Sequence, residues 1–141
     1  MNSILKISEA ASLALHTMQH LAATDGRSVT THELADALHA SEAHLSKVLQ
    51  RLGKVGLAQS TRGPKGGFVL GPKGRDITLL EVYEAIDGPL ATAGCLLGHP
   101  VCRGENYCML GGLVSALNRQ VKDYLKGATL ASLPSIVSTP A

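Results

Sequence analysis

The chain has 141 residues, 45% of them hydrophobic and 17% charged, with a formal net charge of +2, which suits one soluble globular domain and argues against disorder or several domains. No stretch approaches the roughly 18 uninterrupted apolar residues of a membrane span. LALHTMQHLAA is broken by His16, Gln19 and His20, and the basic region and cleavage site of a secretory signal are missing, so a cytoplasmic protein is expected. Aromatics are 3%, with no Trp and one Phe, so the core must be aliphatic and base-stacking platforms of the RNA-binding kind are poorly supported.

Taken in chain order, the periodicity is mostly helical. Ala11, Ala14, Leu15, Met18, Leu21 and Ala22 recur at three- and four-residue intervals, predicting an amphipathic first helix with Ser8 as its N-cap. At roughly 100° per residue, Glu9, Leu13, His16 and His20 fall on the opposite face, a row of potential ligands turned away from the core. After the Thr24-Asp25-Gly26 turn, Thr30 and Glu33 have capping-box spacing ahead of a short helix, HELADALH. His39-Ala40-Ser41 then makes a tight break. Ser41 caps a second helix that buries Leu45, Val48, Leu49 and Leu52 and turns His44, Lys47, Gln50, Arg51 and Lys54 elsewhere. Two short helices around a brief turn form a helix-turn-helix candidate.

Gly56 ends that helix, and strands are predicted at 57–61 and 68–70. The connection Arg62-Gly63-Pro64-Lys65-Gly66-Gly67 carries two cations, so helix-turn-helix plus basic hairpin spells a winged helix. Gly71-Pro72-Lys73-Gly74 breaks the hairpin. Thr78 with Glu81 caps ITLLEVYEAID, stopped by Gly88-Pro89. Finally Leu110, Leu113, Val114, Leu117, Val121, Tyr124 and Leu125 trace one stripe along a helix of about five turns, over about 109–126. A long helix outside the winged unit is expected to act as a dimer strut. The fold class is therefore mainly α with a small β-hairpin wing: a winged helix-turn-helix plus a long C-terminal dimerisation helix.

The charge is unevenly placed. Between Ser41 and Arg75 lie Lys47, Arg51, Lys54, Arg62, Lys65, Lys73 and Arg75 against Glu42 alone, which leaves that segment at +6 and the rest of the chain at −4. A basic segment in an otherwise acidic small domain is the electrostatic footprint of nucleic-acid contact, and equally of a solvated surface.

Cys95, Cys102 and Cys108 obey C-x6-C-x5-C. An odd count in a cytosolic chain argues against a disulfide framework. The C-x2-4-C pair typical of zinc sites is missing. The wide gaps, with Gly98, Pro100 and Gly104 between, suit a loop wrapped around an iron-sulfur cluster, or a thiol sensor, or cysteines without a role. A nucleophilic enzyme cysteine would need a neighbouring base, and only His99 lies close in sequence, so no enzyme is expected.

KISEAASLALHTMQHLA, the helix pair, STRGPKGGFVL, ITLLEVYEAIDG and three spaced cysteines together resemble the IscR/NsrR/CymR family of bacterial winged-helix transcription regulators, over residues 4–133. The RG-x-x-GGF-x-L wing followed by I-T-L-x-x-V is matched by Arg62, Gly63, Gly66, Gly67, Phe68, Leu70, Ile77, Thr78, Leu79 and Val82. The resemblance implies a homodimer on a palindromic operator in double-stranded DNA. It carries the recognition-helix face to Ser41, His44 and Lys47 and the wing contact to Arg62, Gly63 and Pro64, and Lys65 is placed for a phosphate contact. It divides a single domain, 1–133, into a DNA-binding core at about 1–75, a cluster loop at 94–108 and a dimerisation helix at about 109–126, with 134–141 a flexible tail.

Relatives of the IscR and NsrR kind hold an iron-sulfur cluster on three cysteines placed like Cys95, Cys102 and Cys108, although the first gap here is one residue longer than usual. IscR-like members add a histidine three residues after the last cysteine, where this chain has Gly111. NsrR-like members add an acid from the first helix of the partner subunit, and Glu9 of the partner subunit is the matching residue. A further arrangement adds a histidine one turn later, where Leu13 stands. The implied function is a transcription regulator, a repressor, sensing redox state, nitric oxide or iron-sulfur status, with 4Fe-4S favoured over 2Fe-2S. The alternative is a winged-helix regulator using the same cysteines as a thiol or metal-ion sensor without a cluster.

Overall fold

A computed structural model describes residues 5–91, 101–103 and 108–134. The first helix, α1 (Glu9–Ala22), opens on Ser8, whose hydroxyl accepts from the Ala11 N–H and donates to Asp87 across the molecule at 2.6 Å. Two helices follow, α2 (Thr31–Leu38) and α3 (Glu42–Lys54), then an antiparallel hairpin of β1 (Ala58–Thr61) and β2 (Gly67–Leu70). A 3-10 turn at Gly74–Asp76 leads to α4 (Leu79–Asp87) and then α5 (Leu113–Gly127), with a last 3-10 turn at Leu130–Ser132.

Both predicted capping boxes are present. The Thr30 and Thr78 hydroxyls accept from the Glu33 and Glu81 N–H groups, and the glutamates reach back to the cap N–H groups. The core gathers Ala11, Ala14, Met18, Leu21, Leu34, Leu45, Leu49, Leu52, Ile77 and Val82 into one aliphatic cluster. Its position is set by α1, which packs against α2, α3, α4 and β2. That crowding corrects the one-stripe expectation for α1. Leu13, assigned to the outer row, packs against the core, and Thr17 is fully buried, its hydroxyl without a partner among the described residues, because a helix covered on several sides buries more than a single stripe.

The last helix is also corrected. It starts at Leu113 and runs 15 residues, about four turns, because Gly111 lies in the left-handed region (φ 55°) and Gly112 offers no capping side chain. Its C-terminal half is tied to the domain: Val121 and Leu125 pack on the core, and the chain returns so that Thr129 pairs with Thr78. Leu79 N–H donates to Ala128 and Leu130 N–H to Ile77. The predicted strut is therefore docked at one end. The tail beyond Pro134 lies outside the described residues.

Candidate nucleic-acid interface and sensing site

The helix pair is built by local chemistry. His39 closes α2 in the left-handed region (φ 51°), turning the chain, and the Ser41 hydroxyl accepts from the His44 N–H to start α3. Burial of Leu45, Val48, Leu49 and Leu52 then fixes the rotation of α3. Lys47, Gln50, Arg51 and Lys54 are exposed, Ser41 is exposed at the cap, and His44 is half-buried beside it.

The wing is braced from a direction that sequence patterning missed. Val29, between α1 and α2, exchanges both backbone hydrogen bonds with Phe68. Ser28 and Thr61 hydroxyls meet at 2.6 Å, and Thr61 accepts from the Gly67 N–H. A Cβ on Gly67 would stand 2.4 Å from the Val29 carbonyl oxygen, so this close approach requires glycine. Only the Gly-Gly pair hinted at it. At the tip Arg62, Gly63, Pro64 and Lys65 are all exposed, and Gly63 turns the chain at φ 107°.

The structure sorts the basic segment into two groups. Lys73 pairs with Glu81, and Arg75 pairs with Asp25 while donating to the Ala22 carbonyl at 3.0 Å, so these cations are engaged within the domain. Lys73, with the Thr78 N–H, holds the Glu81 carboxyl below the usual glutamate range. Among the described residues no carboxylate pairs with Lys47, Arg51, Lys54, Arg62 or Lys65. Within this segment the cations without a carboxylate partner among the described residues therefore fall on α3 and the wing, the two elements a winged helix turns toward a duplex. Glu42, the acid inside this segment, is met by His32 from α2, with Nδ1 and Oε1 2.5 Å apart.

The predicted ligands are not gathered in one place among the described residues. Cys102 is an exposed free thiol and Cys108 a half-buried one ahead of α5, and Cys95 lies outside the described residues. Glu9 is exposed at the first residue of α1, with no hydrogen bond or ion pair to any described residue. No three His, Cys, Asp or Glu side chains among the described residues converge to hold a metal ion. The donor chemistry nonetheless fits a cluster, since free thiols are its ordinary ligands and an unengaged carboxylate is available. Glu9 also lines one hollow of about 660 Å³ with His16, His39, Ser41 and His44, joining the outer face of α1 to the start of α3.

A helix-turn-helix with a cationic hairpin beside it defines a winged-helix DNA-binding regulator. The chain belongs to the Rrf2 family, described as iron-dependent transcriptional regulators, which it matches over residues 7–135. It is 31% identical to the transcriptional regulator IscR of Pectobacterium atrosepticum, over 77% of this chain and 75% of that protein. Among solved structures it is similar to CymR, the global cysteine regulator of B. subtilis, at 28% identity and a TM-score of 0.73, covering 91% of this chain and 95% of that one. T. potens IscR shares the fold at a TM-score of 0.69 and 24% identity, over 91% of this chain and 85% of that one. The protein is accordingly a transcriptional regulator and not an enzyme.

Proposed function

We propose that the protein is a homodimeric repressor that reads a palindromic operator and senses redox state, nitric oxide or iron-sulfur status through a cluster held by Cys95, Cys102, Cys108 and Glu9 of the partner subunit. Ser41, His44 and Lys47 present α3 to the major groove, while Arg62, Gly63, Pro64 and Lys65 bring the wing to the flanking minor groove. The second copy is called for by α5, where Leu113 and Leu117 stay 51% and 42% exposed on the stripe that Val121 and Leu125 continue into the core.

The observation that carries the sensing half is the placement of Glu9. Its carboxylate is unengaged by any described residue, and Glu9 lines the same hollow as Ser41 and His44. A pull on the first turn of α1 would act beside the proposed recognition helix. When bound, a cluster supplies a centre reactive toward oxygen and nitric oxide. A carboxylate ligand is harder than thiolate and is the bond expected to give first. Release of Glu9 would remove one restraint on the first turn of α1, beside α3, and this would couple sensing to DNA affinity through two arrangements that bind DNA differently.

The test is anaerobic purification, with the visible spectrum, iron and acid-labile sulfide measured on one sample. About four irons and four sulfides per chain supports 4Fe-4S, and about two of each supports 2Fe-2S. Glu9→Gln should bleach faster in air than the parent. A Glu9→Gln dimer with an unchanged spectrum and an unchanged response to signal rules the carboxylate out. The exposed Cys102 thiol and the similarity to CymR favour a second reading, a thiol or metal-ion sensor without sulfide. Colourless protein that refuses reconstitution selects it.

A further inference from the structure

Both ring nitrogens of His32 face carboxylates. Nδ1 lies 2.5 Å from Glu42 at the start of α3, and Nε2 lies 3.4 Å from Asp36 one turn along α2. A neutral imidazole carries one N–H and can serve one of these acids. Only the imidazolium donates to both. Glu33 also faces the ring, but it is engaged by Arg27 at 3.3 Å and by the Thr30 N–H. All of these groups are solvent-exposed, so the bridge adds little to folding stability. Its consequence is electrostatic, because Glu42 is the sole acid in the segment that holds the unmatched cations of α3 and the wing.

We infer that His32 is a positioning residue of the DNA-binding surface: protonated, it masks Glu42 at the start of the recognition helix, and its deprotonation bares that acid to the phosphates and weakens DNA binding. The inference rests on α3 being the DNA-facing helix. Glu42, then Asp36, also raise the imidazole above the ordinary histidine range, and a neighbouring polyanion acts in the same direction. The favourable placement of an acid at a helix N-terminus accounts for Glu42 by itself. It does not account for a histidine set between two acids from two helices.

The probe is a fluorescein-labelled DNA duplex enriched from a random-sequence pool, with binding to the full chain followed by anisotropy from about pH 6 to about pH 8.5. Wild-type affinity should fall several-fold more steeply over this range than that of His32→Gln. That variant should bind roughly 3- to 10-fold more weakly at the acid end, where one uncompensated charge faces the phosphates. Glu42→Gln should lose the same component of the pH dependence. The double variant should bind like wild type at the acid end. His39 and His44 are present in every variant, so the difference between profiles isolates His32. Far-ultraviolet circular dichroism at each pH shows that the variants are folded. An unaltered profile in His32→Gln overturns the inference, as does weaker binding of Glu42→Gln at every pH. Lys47→Ala on the same duplex separates the two failures. Weakened binding there with an inert His32 defeats this inference alone, and an inert Lys47 removes the recognition-helix reading and this inference with it.

Discussion

The unit from α1 to α4 and the segment from Val101 through α5 are built on different terms. In the first, each helix opens on a capping hydroxyl, Ser8, Thr30, Ser41 or Thr78, and Met18, Leu34, Leu45, Leu49, Leu52, Ile77 and Val82 are wholly enclosed. In the second, α5 follows a glycine pair with no side-chain cap, and its apolar stripe passes from buried Leu125 to exposed Leu117 and Leu113, with Met109 94% exposed ahead of it. An apolar stripe states that a face is to be covered without stating by what. Here the domain's own core covers one end and leaves the other exposed, and a second copy of the chain is the cover proposed for it.

Truncation at the two ends of this contrast should give the largest difference. Leu49→Ala removes a fully enclosed side chain and should cost about 2–5 kcal/mol in urea unfolding. Leu117→Ala should leave unfolding of the dilute protein nearly unchanged and instead raise the dimer dissociation constant, measured by sedimentation. Equal losses of unfolding free energy would break the contrast and place Leu117, like Leu125, in the monomer's core.

The wing sharpens it next. Lys65→Ala should lower the slope of log affinity against log salt by about 0.9 and weaken all duplexes alike. Arg62→Ala should also blunt selectivity at positions flanking the half-sites. A salt slope unchanged by both substitutions would remove the wing from the interface.

The smallest effect is in acid stability and belongs to the well-capped region. The Glu81 carboxyl, held down by Lys73 and the Thr78 N–H, stabilises the fold above the ordinary glutamate range, and this contribution is lost as pH falls through its lowered value. Thermal melts from about pH 7 to about pH 3 should show Glu81→Gln less stable than wild type at neutral pH. The two should converge in acid. Parallel curves across the range would show that the pair contributes nothing through ionisation.

Much of the first region was legible because its signals are local. The caps, the Leu45, Val48, Leu49 and Leu52 face and the strands to within a residue follow from spacing inside single elements. The illegible parts are contacts between distant residues. Nothing near Val29 announces Phe68, nothing near Arg75 announces Asp25, and Thr129 carries no mark of its pairing with Thr78. Leu13 was misplaced, and buried Thr17 passed over, because a helical period gives the direction of one buried stripe but not how many neighbours surround the helix. His32 drew no notice in the sequence because its partner stands ten residues away, across the turn between two helices.

The amino-acid order thus determined where each of the first four helices begins, which face of α3 turns inward, and that cationic residues cluster between Ser41 and Arg75. These follow from capping, period and charge, forces that act over a few residues. The tertiary structure decided which of those cations lack a carboxylate partner among the described residues, which acid meets a histidine, and which stretch of α5 is left exposed. Each of these depends on charges and surfaces brought together from distant parts of the chain, where the three-dimensional path alone sets the distance.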